Sequence, residues 1–197
     1  RQGHVEKAIE QIRRSIELAE AHDLARAICR GCANLGVLYG ATDPRRGVAI
    51  CAQGLETAKK SGDLGFQSRL YANLAVVYCA VDDRCAEDGV EAARRAVELD
   101  RRLGYYDHLA APLIVLGQIQ QCHGDHKEAF ASYREALEIA ERVDEPQLLF
   151  PCYDGLATLY LDQGDRQNAE HYLNKARSLC ERAGLEPDAL MILPFLT

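Results

Sequence analysis

The sequence predicts an all-α fold, a solenoid of antiparallel helix pairs. Three observations predict it: a signature that recurs, a column of small residues in fixed register with it, and turn signals between the helices. The signature is Leu-(Gly/Ala)-x-x-Tyr. It occurs as Leu35-Gly36…Tyr39, Leu74-Ala75…Tyr78 and Leu156-Ala157…Tyr160, with a weaker copy at Leu116-Gly117…Gln120. Its leucines are 39, 42 and 40 residues apart. A period of that size marks stacked helical hairpins, whose cores form only between neighbouring repeats.

The small residues are Ala8, Gly47, Gly89, Ala129 and Ala169. Four positions on come Ile12, Cys51, Ala93, Tyr133 and Leu173; three further on come Ser15, Gly54, Ala96, Ala136 and Ala176. From each small residue to the next signature leucine the count is 27: 8 to 35, 47 to 74, 89 to 116 and 129 to 156. The rest of the repeat varies, at 12, 15, 13 and 13 residues. Length changes collect in loops and not in packed helices, so insertions fall in one turn of each repeat.

Nine helices follow in order within a single array, 1–197. A lone second helix occupies 1–22, and full pairs occupy about 23–62, 63–104, 105–144 and 145–184. Ile28, Cys32, Leu35 and Tyr39 line one face of a first helix by their i, i+4, i+7, i+11 spacing. Ala129, Tyr133, Ala136, Leu137 and Ala140 do the same in a second helix. Turn signals are Asp43-Pro44, Ser61-Gly62-Asp63, Gly124-Asp125 and Gly164-Asp165. Asp43-Pro44 reads as an N-cap followed by proline at the first helical position. Pro112 and Pro151 either start their helices or bend them. The segment 185–197 reads as a capping first helix, because 27 residues past Ala169 lies Leu196. Its Leu190, Met191, Leu193, Phe195 and Leu196 are placed to cover the last hairpin. The chain opens without Met in front of an unpartnered helix, so we expect an upstream continuation and a natural C-terminal end.

These residues resemble the tetratricopeptide repeat family. That family's W-x-x-L-G-x-x-Y…A-x-x-x-F…P pattern is matched by the Leu/Gly/Tyr signature and by Ala129-x-x-x-Tyr133. The Trp position holds Cys32, Tyr71, Leu113 and Tyr153, and the closing Pro is missing. The repeat is about six residues longer than the usual ~34, with the surplus in the constant segment. Long repeats of this kind resemble those of kinesin light chains, of polarity and G-protein adaptors, and of bacterial multidomain regulators. The resemblance implies a right-handed α-solenoid whose first helices line a concave groove for a protein or peptide.

Composition narrows the classes. The net charge of −7 and pI of about 5.4 lack the basic face of a nucleic-acid binder. No run of 18 apolar residues spans a membrane, and no signal peptide is visible. We expect a cytoplasmic protein. The eight cysteines, Cys29, Cys32, Cys51, Cys79, Cys85, Cys122, Cys152 and Cys180, are scattered as in a reducing compartment rather than paired in a framework. Cys29-x-x-Cys32 has no second pair, and Cys122-His123…His126 is loosely spaced. Packed thiols and solvated histidines are expected, with no metal and no cofactor. Phosphate-loop, dinucleotide, zincin and nucleophile-elbow motifs are missing, and Asp82 and Asp83 read as solvated turn residues. The chain is not expected to be an enzyme.

The groove assignment, which follows from the resemblance, singles out the first-helix face opposite the core column. Arg30, Asn34 and Val37 share it by i, i+4, i+7 spacing, and Arg69, Asn73 and Val76 repeat it one pair later. Arg offers a fork that fits a carboxylate, and Asn offers a donor and an acceptor for an extended backbone. The alternative is that the arginines are solvated or pair with neighbouring acids. In the third pair the face becomes Ala111, Val115, Gln118 and Gln121; the fourth contributes Asp154, Thr158 and Asp162. Three functions remain open. One is a module that binds a peptide in its groove. A second is a regulatory arm of a bacterial signalling protein, such as a nucleotide cyclase or an ATP-dependent transcription activator. The third is homo-oligomerisation, such as a homodimer, through the array ends.

Overall fold

The structure, a computed structural model, describes residues 2–81 and 85–187. The expectations for Asp82 and Asp83, and for the apolar capping residues from Leu190 to Leu196, lie outside the described residues. Among those described, nine α-helices follow one another without a strand: α1 (Gln2–Ala21), α2 (Ala25–Gly40), α3 (Pro44–Lys60), α4 (Leu64–Tyr78), α5 (Val90–Leu103), α6 (Ala110–Cys122), α7 (His126–Val143), α8 (Pro146–Asp162) and α9 (Arg166–Ala183). A π-helical turn, Cys85–Gly89, precedes α5, and a 3-10 turn, Tyr106–His108, precedes α6. The fold is an all-α helical-repeat solenoid. The chain divides into two compact units, Arg1–Leu103 and Gly104–Thr197.

Within the first unit α2 packs on α3, α4 on α5, and α2 beside α4; within the second, α6 packs on α7, α8 on α9, and α6 beside α8. The signature leucines are the reason. Leu35, Leu74, Leu116 and Leu156 are all buried, at 0%, 4%, 7% and 0% exposure. The column four residues past the small residues is buried too, at Cys51, Ala93 and Tyr133. Leu173 departs from its column and is 40% exposed.

The constant 27-residue segment has a backbone cause. Every second helix stops at a left-handed residue: Asp23 (φ 52), Gly62 (φ 70), Gly104 (φ 69), Asp144 (φ 55) and Gly184 (φ 62). Each lies 15 positions past its small residue. A left-handed residue after the last turn lets backbone N–H groups close on the free carbonyls. Asp144 N–H, for example, donates to Ala140 O. The next helix then starts from a fixed point. Asp43, Asp63 and Asp165 cap first turns by accepting from Arg46, Phe66 and Asn168 N–H at 3.1–3.2 Å. Pro112 sits in the first turn of α6, where its missing N–H costs nothing. Pro151 lies inside α8, which continues through it.

Candidate functional site

The α2–α4 face of the first unit is built by two adjacent helices. Arg30, Asn34 and Val37 all emerge exposed from α2, Val37 at 56%. Arg69 emerges exposed from α4, with Asn73 and Val76 half-buried beneath it. Asn73 Nδ2 donates to Ala33 O across the two helices at 2.9 Å. That bond uses the donor of Asn73 and pins the two first helices together, so its part in the face is positioning. Among the described residues no carboxylate lies within ion-pair distance of Arg30 or Arg69, and the Asn34 amide has no hydrogen-bond partner. Elsewhere in this unit arginines are engaged: Arg26 Nε lies 3.1 Å from Asp63 and Arg46 Nε 3.1 Å from Asp43.

The second unit spends its corresponding residues differently. Gln118 is buried at 8% exposure, and its Oε1 has no hydrogen-bond partner among the described residues. Gln121 Oε1 accepts from the Tyr133 hydroxyl at 3.0 Å, and burial pushes that phenol's pKa up. Thr158 is exposed, and its hydroxyl donates to Asp154 O at 3.0 Å. Asp154 is half-buried, and desolvation raises its carboxyl pKa. Of the four, Thr158 is exposed, Asp154 and Gln121 are half-buried, and Gln118 points inward.

A column comparison explains why the fourth pair has no asparagine. Asn34, Asn73, Val115 and Gly155 each precede a signature leucine by one residue. A Cβ placed on Gly155 would stand 2.6 Å from Tyr133 Cε1, and one on Gly117 would stand 3.1 Å from Tyr133 Cδ1. The buried Tyr133 ring fills the space above both glycines, so α8 has no room for an asparagine there. In the first unit Cys51 holds the Tyr133 position, against Gly36, and Asn73 fits on α4.

The sequence reading missed a seam of aromatic and cationic side chains along α7, α8 and α9. Tyr160 stacks on Tyr172 (centroids 5.8 Å apart, 9° between planes), and Phe130 meets Tyr160 edge-on at 4.9 Å. Arg134 Nη2 donates to the Tyr160 hydroxyl at 3.0 Å. Lys175 Nζ sits 5.3 Å over Tyr153 and 3.8 Å from Glu141. The available signal was the placement of Tyr172 three residues after the small Ala169, on the side facing the signature Tyr160.

The thiols fall into three classes: four buried, three half-buried (Cys79, Cys85 and Cys180) and one, Cys122, exposed. Cys29, Cys32, Cys51 and Cys152 are fully buried. Burial raises all four, and Cys32 and Cys51 reach about 12. Cys29 Sγ donates to Gly54 O at 3.6 Å. Cys122 and His123 are exposed, and His126 Nδ1 lies 3.8 Å from Asp162 Oδ2. No described helix is long and apolar enough to cross a membrane.

A sequence profile described as tetratricopeptide repeat matches residues 66–142 and 124–182. No curated protein matches the chain in sequence. Among solved structures, BtubC (BKLC) from P. vanneervenii is similar at 22% identity with a TM-score of 0.75, over 92% of this chain and 75% of that one. A putative kinesin light chain from Podosopora anserina, with nearly identical TPR-like repeats, is similar at 18% identity and a TM-score of 0.65, over 92% and 90%. A signal transduction ATPase with numerous domains from Pyrococcus horikoshii, which carries a tetratricopeptide repeat sensor, is similar at 20% identity and a TM-score of 0.66. There the overlap is 89% of this chain and 28% of that one. At these identities the likeness is one of fold.

Proposed function

This chain belongs to the tetratricopeptide repeat family, and on that premise we propose that it is a protein-interaction module whose α2–α4 face holds an extended peptide with acidic side chains. Tetratricopeptide repeat scaffolds are generally non-enzymatic, and this reading assigns no catalytic group. The observation that carries it is the pair of exposed arginines, Arg30 and Arg69, one repeat apart and without a carboxylate partner among the described residues. Each guanidinium presents a planar fork to a peptide carboxylate. Asn34 offers both hydrogen-bonding senses to the peptide backbone, and Val37 offers an apolar contact. Asn73 holds the two helices in register.

Selection of linear peptides displayed on phage tests this. We expect acidic sequences to be enriched, and the Kd of a selected peptide to rise about tenfold for Arg30→Ala and again for Arg69→Ala. The melting midpoint should barely move, because an exposed charge contributes little to stability. Neutral or basic winners, or affinities indifferent to both changes, would refute the reading. A sensor arm is a second form of the same proposal, supported by the use of such repeats as the sensor of the Pyrococcus horikoshii ATPase. In that form the peptide comes from an attached domain rather than from a separate chain.

A further inference from the structure

Cys79 and Cys85 stand apart from the other thiols. Cys79 is the residue that ends α4 (φ −66, ψ −20), and its Sγ donates to Ala75 O at 3.2 Å. Cys85 begins the π-helical turn that leads into α5. Cys85 Sγ donates to Cys79 Sγ across 2.8 Å, a contact that a disulfide bond would shorten to ~2.05 Å. Both residues are partly reached by solvent, unlike the buried Cys29, Cys32, Cys51 and Cys152. Oxidation follows thiolate character and exposure. A fully buried thiol meets neither condition, and this pair meets the second.

We propose that Cys79 and Cys85 form a redox pair that closes reversibly into an intrachain disulfide by exchange with a low-molecular-weight disulfide such as glutathione disulfide. One thiol loses its proton, and the thiolate attacks a sulfur of the glutathione disulfide. A mixed disulfide forms and one glutathione thiolate leaves. The second cysteine, deprotonated in turn, attacks the protein-side sulfur and releases the second glutathione. The balance is one protein disulfide made, one glutathione disulfide reduced to two thiols, and the two protons carried by the products. Exposed disulfides are the labile, regulatory ones, and transient bonds of this type occur even where structural disulfides do not. Closure ties the end of α4, which carries Arg69, Asn73 and Val76, to the turn that launches α5.

The chain is convenient for the test. Trypsin cuts after Arg69, Arg84 and Arg94 and so places Cys79 and Cys85 on different peptides. The intact protein is equilibrated in excess glutathione disulfide, its free thiols are alkylated, and the digest is analysed by mass spectrometry. The expected result is a linked pair, 70–84 with 85–94, lighter by two hydrogen atoms than the separate peptides. It should vanish on addition of reduced glutathione and be missing from Cys85→Ser. Cys122→Ser, which removes an exposed thiol, should leave the link intact. If Cys79 and Cys85 are alkylated as fully as in the reduced control, or are found joined to other cysteines or to a second copy, the proposal fails.

Discussion

The two units fill equivalent places with unequal side chains. In the first, Gly36 meets the sulfur of Cys51, and Gly54 would put a Cβ 2.6 Å from that of Cys32. Small side chains bring the helices together, and room remains on α4 for Asn73. In the second, one ring takes that room: Tyr133 lies over Gly117 and Gly155 and ties itself to Gln121. Their turns differ as well. Within the pairs of the second unit, Gly124 (φ 81) and Gly164 (φ 77) each stand before an Asp, and both segments count 13 residues. The first unit connects its pairs through Thr42-Asp43-Pro44 and through a longer stretch of sequence that holds Cys79 and Cys85. The lesson is that a repeat conserves volume rather than residue type, and that the choice made in the core decides which polar groups reach the first-helix surface.

The largest effect should come from emptying the larger plug. Tyr133→Ala is expected to cost ~3–5 kcal/mol by leaving a cavity and an orphaned Gln121 amide. Leu74→Ala in the first unit is expected to cost ~2–5 kcal/mol. Urea titration followed by far-ultraviolet circular dichroism measures both, since the chain has no Trp. Equal and small losses would break the contrast between the units.

Gly155→Asn should cost about 1–3 kcal/mol by driving a side chain into the Tyr133 ring. In a Tyr133→Cys background, which imitates the first unit, the added cost should shrink. A double-mutant cycle reads that coupling directly, and strict additivity would contradict the volume argument.

A smaller effect is expected at Asp154. Its carboxyl is raised by desolvation, so the folded chain holds this proton more tightly than the unfolded chain does. Stability from this group therefore falls as pH climbs from the unfolded carboxylate range, near ~4, through the folded value, and the loss persists to neutrality. Asp154→Asn should melt above the parent at about pH 7 and level with it below about pH 4. A variant less stable at both pH values would show that the carboxylate is compensated by a partner.

Much of the fold was legible because it rests on periodic burial. The leucine column, the helix order, the cap at Asp43 and the turns at Asp63 and Asp165 all follow from side-chain chemistry in the sequence. The stops at Asp23 and Asp144 were less legible, since Asp is as good an N-cap as a left-handed residue and only Gly announces positive φ. The site was less legible than the fold. Spacing places Arg30, Asn34 and Arg69 on one side of their helices, where they are exposed. Spacing does not reveal that Asn73 gives its donor to Ala33 O or that Gln118 turns inward. Both depend on what the adjacent helix leaves free, which is a property of three dimensions.

The left-handed stops, each 15 residues past its small residue, carry a consequence for exchange of parts. Each marks a joint where one cassette ends and the next begins in the same backbone state. A segment cut from just after Gly62 to Gly104 starts and ends as its neighbours do, which makes these joints the natural places for duplication or transplantation of a pair. A cut one residue inside the joint removes the left-handed residue, and with it the N–H closure that ends the helix.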